Sequence, residues 1–436
     1  MRRPRHPDNR NHPQAPGPQK PGKPKPRPAQ ATPAKAAPAK ATPAKATVAK
    51  PGLAQDAAVI KLASVFEIFL VATPGFEETL ATEARELGFK EVDVVVCGVT
   101  AKGGWPEVWR ANLMLRGASA VLARLVSFPV FHLAQLDKRA RKVPWDQILR
   151  KDVPVRVEAS CKHSKIYHSG AAKQRVETAI AEELGAAISD EAEICVKARI
   201  EDDICTISID TSGESLHKRG HKEAVNKAPM RETLAALFLR QAGYAGTEPV
   251  LDPMCGSGTF VIEAAEMALD LAPGRSRSFA FEKLKGFNAT AWVKLRDSVA
   301  TPEAKPDFRF YGCDRDGGAV EMSRANAERA AVGEVTAFRQ CAVSAATAPS
   351  GPTGLIIANP PYGQRLGDKR KLFALYKSFG QTMLQRFGGW RVGVITNDAS
   401  LAAACGLPFE TPFGPVSHGG QRVYLFLTGP LPQAKA

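Results

Sequence analysis

Large apolar side chains are nearly absent from the first part of the chain and are patterned throughout the rest. The folded part begins near Phe66, where residues 67–72 form an apolar run typical of a buried strand. The patterns that follow predict a helix over residues 78–87, strands over residues 92–97 and 100–102, and a helix over residues 106–125. Residues 153–210 then read as a strand, a helix and two period-two strands, which indicates a small α+β domain.

From Arg231 onward the pattern changes to strands that alternate with helices, which is typical of a parallel α/β sheet. An irregular insertion of about residues 272–306 separates the first two strands of this region. The predicted strands are residues 250–251, 308–312, 335–339, 354–358, 391–396 and 423–427.

Composition limits the class of protein. The 436 residues suffice for two or three domains, and hydrophobic residues make up 44% of the chain, enough for a sizeable core. No run approaches the length that a membrane helix requires, and the basic N-terminus lacks the apolar stretch of a secretory signal. We therefore expect a soluble, cytoplasmic protein.

Most of the net charge of +15 lies at the start of the chain, because residues 1–55 hold twelve Lys or Arg and one acid, which gives +11. Residues 31–50 consist of four related pentads, ATPAK, AAPAK, ATPAK and ATVAK. Such a segment cannot bury enough apolar surface to offset the entropy of ordering, so residues 1–62 are predicted to be a disordered basic tail. The tail is either a solvated linker or a loose tether for a polyanion.

Eight cysteines are spread along the chain without a Cys-x-x-Cys pair, which argues against zinc ribbons and thioredoxin-type chemistry. We expect them to be reduced and to act as small apolar residues. His163 and His168 lack ligand partners at metal spacing, so no metal site is predicted.

The loop after the first predicted strand of the α/β region, residues 251–260, has the sequence LDPMCGSGTF. Gly256 and Gly258 permit close approach of a ligand to the backbone, and Asp252 at the strand end suits an ammonium group. The lack of a lysine disfavours a nucleoside triphosphate, and a dinucleotide fingerprint needs a third glycine where Ala264 or Ala265 stands. The acid favours the methionyl group of S-adenosylmethionine, with a plain tight turn as the alternative.

A second acid, Asp314, ends another predicted strand and is placed to accept hydrogen bonds from ribose hydroxyls. It lies 62 positions beyond Asp252, more than the usual spacing of ~20, and the insertion accounts for the excess. Capping of the following helix is the alternative role for this carboxylate.

Asn359, Pro360, Pro361 and Tyr362 follow a strand of four apolar residues, at the strand end where ligands collect in open α/β sheets. The two prolines remove backbone donors, so the turn presents carbonyl oxygens beside a carboxamide. Two such acceptors suit an NH₂ group on a base, because they draw its delocalised nitrogen toward tetrahedral geometry. Tyr362 is suited to stack on a base withdrawn from its helix. These features predict methylation of an exocyclic base nitrogen.

Together these residues resemble the class I methyltransferases that carry an Asn-Pro-Pro-Tyr motif. Over residues 66 to about 428 the chain is also similar to the N-terminal half of the bacterial 23S rRNA guanine-N2 methyltransferase family, in which a THUMP domain precedes the catalytic domain. The similarity is carried by residues 160–180, 216–221, 228–236, 251–260 and 359–366.

The resemblance implies a Rossmann-like class I methyltransferase domain at residues 214–436, preceded by an α+β ferredoxin-like and THUMP RNA-binding region at residues 63–213. It implies S-adenosylmethionine as cofactor and methylation of a guanine N2 in 23S rRNA or a ribosomal precursor. The methionyl part would be held by Asp252, Gly256 and Gly258 and the ribose by Asp314, with residues 228–234 packed beside the cofactor. The predicted cofactor-binding residues are Asp252, Pro253, Gly256, Gly258, Thr259, Asp314 and Arg315.

The sequence departs from this family in two places. Residues 342–345 read Ala-Val-Ser-Ala where many relatives have an acid that contacts the adenine amino group. The chain also stops after one catalytic domain, whereas some members carry a second methyltransferase domain, so we expect no second activity.

The predicted RNA contacts are basic residues on and after a strand end of the THUMP-like block: Lys162, His163, Lys165, His168, Lys173 and Arg175. In the insertion, charge alternates with aromatic residues, which is typical either of a single-strand binder or of core packing; these residues are Arg275, Arg277, Phe279, Phe281, Lys283 and Lys285. Three other functions stay open: a tRNA guanine-N2 methyltransferase, a DNA adenine-N6 methyltransferase, and a non-catalytic RNA-binding protein of ribosome assembly.

Overall fold

A computed structural model of the chain describes residues 62–223, 230–299, 306–362 and 369–433. All described residues belong to one compact unit, residues 54–436, and residues 1–53 lie outside the described part. The tail predicted over residues 1–62 also falls outside the described part, except for Leu62.

The first half of the second unit is an α+β region built on one sheet. Its strands are β1 Phe66–Val71, β2 Lys90–Val95, β3 Gly98–Gly103, β4 Val121–Pro129, β5 Val155–Lys162, β6 Ile194–Glu201 and β7 Ile204–Asp210. They form a seven-stranded sheet in the order β2-β3-β1-β4-β7-β6-β5. Antiparallel pairing of β4 with β7 joins its two parts into a continuous sheet. The helices are α1 Glu77–Glu86, α2 Trp105–Met114, α3 Leu133–Ala140, α4 Trp145–Ile148 and α5 Ser169–Leu184.

The helix predicted over residues 106–125 is too long, and the structure corrects it. α2 ends at Met114, and the chain then turns and enters β4. Glu83 fixes the turn, because its Oε2 accepts the N–H of Gly117 at 2.9 Å. Beyond the turn Val121 and Ala123 are buried at alternate positions, as strand geometry requires.

The second half is an α/β domain with a mostly parallel sheet. Its strands are β8 Val250–Asp252, β9 Phe310–Asp314, β10 Thr336–Gln340, β11 Leu355–Ala358, β12 Arg391–Thr396, β13 Phe413–His418 and β14 Gln421–Leu427. They form the order β10-β9-β8-β11-β12-β14-β13, with β14 antiparallel to its neighbours. The chain order reverses beside β8, which creates the crevice where such sheets bind ligands. The predicted fold class, a Rossmann-like α/β domain after an α+β region, is therefore confirmed.

The helices of the α/β domain cover the two faces of this sheet. They are α6 Glu232–Gln241, α7 Thr259–Ala268, α8 Ala289–Ser298, α9 Gly317–Arg329, α10 Lys369–Arg386 and α11 Ala399–Ala404. The insertion is more regular than its sequence indicated, since it contains α8 and a 3-10 turn at Ala280–Lys283. Within the described residues no helix combines the length and the apolar character needed to cross a membrane.

Candidate active site

Three predicted site residues meet at one edge of the α/β sheet. Asp252 ends β8, Asp314 ends β9, and Asn359 directly follows β11. Because β8 pairs in parallel with both β9 and β11, the carboxyl ends of the three strands lie side by side. A hydrogen bond links the first two elements, since the N–H of Gly256 donates to Asp314 Oδ2 at 3.0 Å.

The two glycines of the loop after β8 have different tasks. Gly256 has a φ of +55°, and a Cβ added to it would have no neighbour within 4 Å, so the backbone there borders open space. Gly258 has a φ of +83°, and its Cβ would lie 3.1 Å from Ser323 on α9. Gly258 is therefore required by its backbone conformation and by packing, and contact of either glycine with a ligand stays a prediction.

Polar side chains on α9 hold this loop from behind. Ser323 Oγ donates to the Gly256 carbonyl at 2.9 Å, and Asn326 Nδ2 donates to the Ser257 carbonyl at 3.1 Å. Both side chains are buried. The sequence does carry a signal for them, because two polar residues three positions apart share one face of a helix whose neighbours are apolar.

The remaining predicted cofactor residues are placed less directly. Thr259 is buried, and its hydroxyl accepts a hydrogen bond from Lys222 Nζ at 2.8 Å. This hydroxyl therefore already has a partner within the protein. Pro253 is buried within the loop, whereas the Arg315 side chain is exposed. Asp316, not Asp314, caps α9, because its Oδ1 accepts the Gly318 N–H at 3.0 Å.

Asp252 is a buried carboxyl without a cation. It is 3% exposed and accepts one hydrogen bond, from the Met254 N–H at 3.0 Å. Burial raises the pKa of Asp252 to about 8, with a further contribution from the charge of Asp314. No ion pair within the described part of the chain involves this carboxyl. A ligand that brings a positive charge to this point would stabilise the ionised form.

The turn after β11 presents a second unsatisfied group. Among the described residues, no hydrogen-bond partner faces the buried Oδ1 of Asn359. An unpaired buried acceptor costs about 1–3 kcal/mol, so its retention calls for an explanation. Tyr362 packs against both hydrophobic cores, and burial raises the pKa of its phenol to about 12, which keeps it neutral.

The region expected to contact an adenine carries no acid. Residues 343–345 form a 3-10 turn in which Val343 is buried. The Ser344 carbonyl accepts from Arg386 Nη1 at 3.1 Å. Through its side chains this turn offers apolar packing and the exposed hydroxyl of Ser344, but no carboxylate. Of the segment predicted to lie beside the cofactor, residues 228 and 229 fall outside the described part.

Several of the predicted RNA contacts already have partners in the protein. Lys173 forms an ion pair with Asp190 at 2.7 Å and lies 3.5 Å from Glu177. His168 caps α5, because its Nδ1 accepts the Ala171 N–H at 3.0 Å. These two side chains therefore have structural roles.

The other predicted contacts lie at the end of β5, in the loop after it and on α5. Lys162, His163, Lys165 and Arg175 are exposed. Lys165 Nζ lies 4.6 Å from the centre of the Phe131 ring. Sequence reasoning missed Tyr167, which is 85% exposed in the same loop. A large exposed aromatic among basic residues is the signal that could have identified it.

The insertion packs into the core. Phe279 and Phe281 are buried and stack with their ring centres 5.3 Å apart, and Trp292 meets Phe281 edge to face. This arrangement excludes base stacking on the two phenylalanines and supports the alternative of core packing.

Comparison with known proteins identifies three segments. Residues 67–122 match the model of the RlmL ferredoxin-like domain, residues 132–210 that of the THUMP domain, and residues 219–410 that of the RMKL-like methyltransferase domain.

Two curated relatives illustrate the match. The "Ribosomal RNA large subunit methyltransferase K/L" of Psychromonas ingrahamii is 33% identical over 352 residues, which cover 78% of this chain and 47% of that protein. The chain thus spans about half the length of this relative. The "Putative RNA methyltransferase slr0064" of Synechocystis sp. is 29% identical over 361 residues, which cover 81% of this chain and 94% of that protein.

Solved structures agree with these matches. A possible methylase from Clostridium difficile 630 is 30% identical, with a TM-score of 0.77 over 85% of this chain and 100% of its own. SMU.472, which was crystallised with SAH, is 27% identical, with a TM-score of 0.76 over 86% of this chain and 100% of its own. The chain therefore contains an RMKL-like methyltransferase domain, preceded by an RlmL ferredoxin-like domain and a THUMP domain.

Proposed function

We propose that the protein is an S-adenosylmethionine-dependent RNA methyltransferase that methylates the exocyclic N2 of a guanine in 23S rRNA. The observation that carries the proposal is the buried Oδ1 of Asn359, which has no hydrogen-bond partner among the described residues and lies at the strand end next to Asp252. An acceptor without a described partner, beside a carboxyl without a described cation, fits a site for an amine substrate and a cationic cofactor.

The residues present fit this cofactor. Asp252 would take its ammonium group, Asp314 its ribose hydroxyls, and the open backbone at Gly256 would give it room. When bound, S-adenosylmethionine supplies an electrophilic methyl group. The loop needs no large rearrangement to receive it, because Ser323 and Asn326 already hold two of its carbonyls.

The residues of the protein would contribute to the reaction by binding and orienting the amine of the base. Asn359 Oδ1 and the Pro360 carbonyl would each accept one N–H of the base, which orients the nitrogen lone pair. The proton that the methylated nitrogen must lose would leave along one of these hydrogen bonds to water. Tyr362, a neutral phenol in a half-buried position, would stack on the base.

RNA docking would use the end of β5, the loop after it and the exposed face of α5. Tyr167 offers a face for one unpaired base, and Lys162, Lys165 and Arg175 offer charge to phosphates. Lys173 and His168 would contribute little, since both already have partners within the protein.

One experiment separates this function from its rivals. The protein is incubated with labelled cofactor and, separately, with unmodified 23S rRNA, tRNA and DNA, and the labelled nucleoside is identified after digestion. We expect N2-methylguanosine from 23S rRNA. Label in tRNA alone would move the substrate to tRNA, and N6-methyladenine would overturn the guanine assignment. Cofactor binding without any label would favour the non-catalytic alternative.

A further inference from the structure

Arg277, in the insertion between α7 and β9, has an unusual set of partners. Its Nη1 donates to the carbonyls of Ser215 at 3.0 Å and Lys218 at 2.9 Å. Its Nη2 donates to the carbonyls of Ser212 at 3.2 Å and Glu214 at 2.6 Å. Because Nε also points at a carbonyl, that of Ser278 at 3.4 Å, all five N–H groups of the guanidinium are used.

These four carbonyls all belong to the segment that connects β7 to the α/β domain, residues 211–223, which we call the linker. Arg277 forms no ion pair with a described carboxylate, and the Glu214 side chain is instead paired with Lys218 at 2.6 Å. Burial lowers the pKa of Arg277, with a further contribution from the charge of Arg219. A cation used in this way fixes backbone conformation, since the planar fork fits only one arrangement of the carbonyls.

The insertion approaches the linker closely elsewhere as well. Gly220 has a φ of +95°, and a Cβ added to it would lie 2.5 Å from the Ser276 carbonyl oxygen. The Phe281 N–H donates to the Thr211 carbonyl at 3.1 Å. The linker is therefore held against the insertion at both of its ends.

The same insertion also contacts both parts of the α+β region. The Gly274 N–H donates to the Leu113 carbonyl at the end of α2 at 2.9 Å. The Lys285 N–H donates to the Ile148 carbonyl at 2.9 Å, and Lys283 forms an ion pair with Glu193. Trp109 of α2 stacks on Phe281 at 6.0 Å.

We infer that the insertion fixes the distance between the RNA-binding sheet and the methyl-transfer site, and that Arg277 is its positioning residue. The part of this inference that concerns RNA rests on the proposed function. A fixed distance between these two sites restricts substrates to RNAs in which the docking element and the target base are the same distance apart. Rigid placement also raises the effective concentration of the target base at Asn359 once the RNA is docked.

The mechanical claim is tested without RNA. Spin labels are placed at Gln174 on α5 and Gln381 on α10, which are exposed, through non-canonical amino acids because the chain has eight cysteines. Pulsed electron paramagnetic resonance then gives the distribution of distances in the full chain, in Arg277→Ala and in Arg277→Lys. The matched control is Arg296→Ala, an exposed arginine of the same insertion that bonds to Arg275 and not to the linker.

We expect a broader distribution in Arg277→Ala and an intermediate one in Arg277→Lys, whose single ammonium cannot reach four carbonyls. The control should match the parent. Should Arg277→Ala fail to fold, Arg277→Lys alone decides the question. A distribution as narrow in the Arg277 variants as in the control would overturn the inference.

The catalytic consequence is measured with 23S rRNA and labelled cofactor. For Arg277→Ala we expect kcat/KM for RNA to fall roughly ten- to hundredfold, while the Kd for cofactor stays unchanged. Arg277→Lys should recover part of the loss. A loss of cofactor affinity equal to the loss of methylation would overturn the positioning role. If the parent methylates no RNA, the proposed function fails, and the distance measurement still tests whether the insertion fixes the distance between the two sites.

Discussion

The carboxyl of Asp252 shows how burial turns a residue predicted from sequence into a pH-sensitive one. In the cofactor-free protein its pKa of about 8 leaves it largely protonated at pH 6. A ligand cation favours the ionised form, so binding must release a proton in this range. Sequence alone placed the acid at a strand end, but its protonation depends on burial, which only the fold decides.

We therefore expect the affinity for S-adenosylmethionine to rise with pH between pH 5.5 and 7.5. The slope approaches about tenfold per pH unit, because one proton must leave Asp252 before the pair forms. Titration calorimetry in two buffers of different ionisation enthalpy measures the proton released. Asp252→Asn serves as control and should bind weakly at every pH, with no slope. A slope that persists in this variant would assign the proton to another group.

Asn359 is the residue that we propose acts most directly on the amine. Asn359→Ala removes the buried acceptor, and we expect turnover to fall by about two to three orders of magnitude. Cofactor affinity should stay within a few-fold, because cofactor contacts are proposed for Asp252, Gly256 and Asp314. Single-turnover methylation and a cofactor binding titration give the two values.

The matched variant for this position is Asn359→Asp, which keeps an oxygen where the acceptor stands. It should recover part of the lost turnover. Equal losses of turnover and cofactor affinity in the alanine variant would show that Asn359 supports the fold of the site instead.

At the scale of elements, the strands of the α/β domain other than β13 were predicted to within two residues at each end, most closely β11 and β12, which are mainly apolar. β13 was not predicted, since Gly414 and Pro415 interrupt it and its pairing with β14 shifts between Phe413 and Val416. The end of α2 was misplaced because residues 115–125 are apolar in a pattern that suits helix and strand alike. Tertiary contacts, such as the hydrogen bond from the Gly117 N–H to Glu83, decide between helix and strand for these residues.

The loop after β5 gives a prediction for RNA binding. Tyr167→Ala should weaken binding of 23S rRNA about 5- to 100-fold, since stacking of one base contributes about 1–3 kcal/mol. The dependence of affinity on salt should not change, because no phosphate contact is lost. Lys165→Ala should instead reduce the salt slope by about one. Fluorescence anisotropy over a range of salt concentrations separates the two effects.

Lys173→Ala is the control for this surface, because the ion pair with Asp190 already offsets that charge. Its RNA affinity should match that of the parent. If Tyr167→Ala binds as tightly as Lys173→Ala does, the exposed ring has no part in docking.

At the scale of the molecule, the α+β region and the α/β domain are joined by contacts that no local sequence pattern predicts. A run of residues predicts its own element, but Arg116 and Glu263 lie 147 positions apart, and nothing in either neighbourhood points to the other. The insertion was ambiguous for the same reason. Alternating charge and aromatic residues suit a surface or a core, and the partners of Arg277 decide which.

The buried charges between the halves give the prediction for stability. Arg116, beyond α2, donates to Glu263 of α7 at 2.9 Å, and Arg219 shares that carboxylate at 3.3 Å. Burial opposes each charge, but the pKa of Glu263 is lowered because its two arginines outweigh desolvation. Arg116→Met would leave Glu263 with one cation in a site that excludes water. We expect the free energy of unfolding to fall by about 3–5 kcal/mol.

Urea denaturation measures this change, with Arg150→Met as the matched control. Arg150 pairs with Asp152 at the surface, at 2.5 Å, where solvent screens the ion pair and its loss should change stability little. The double variant Arg116→Met/Glu263→Gln removes both charges of the pair and should be less destabilised than the two single changes combined. If Arg116→Met cost no more than Arg150→Met, the halves would be joined mainly by apolar packing, such as that of Phe76 on Phe238. The positional control exerted by the insertion would then have to act without this electrostatic support.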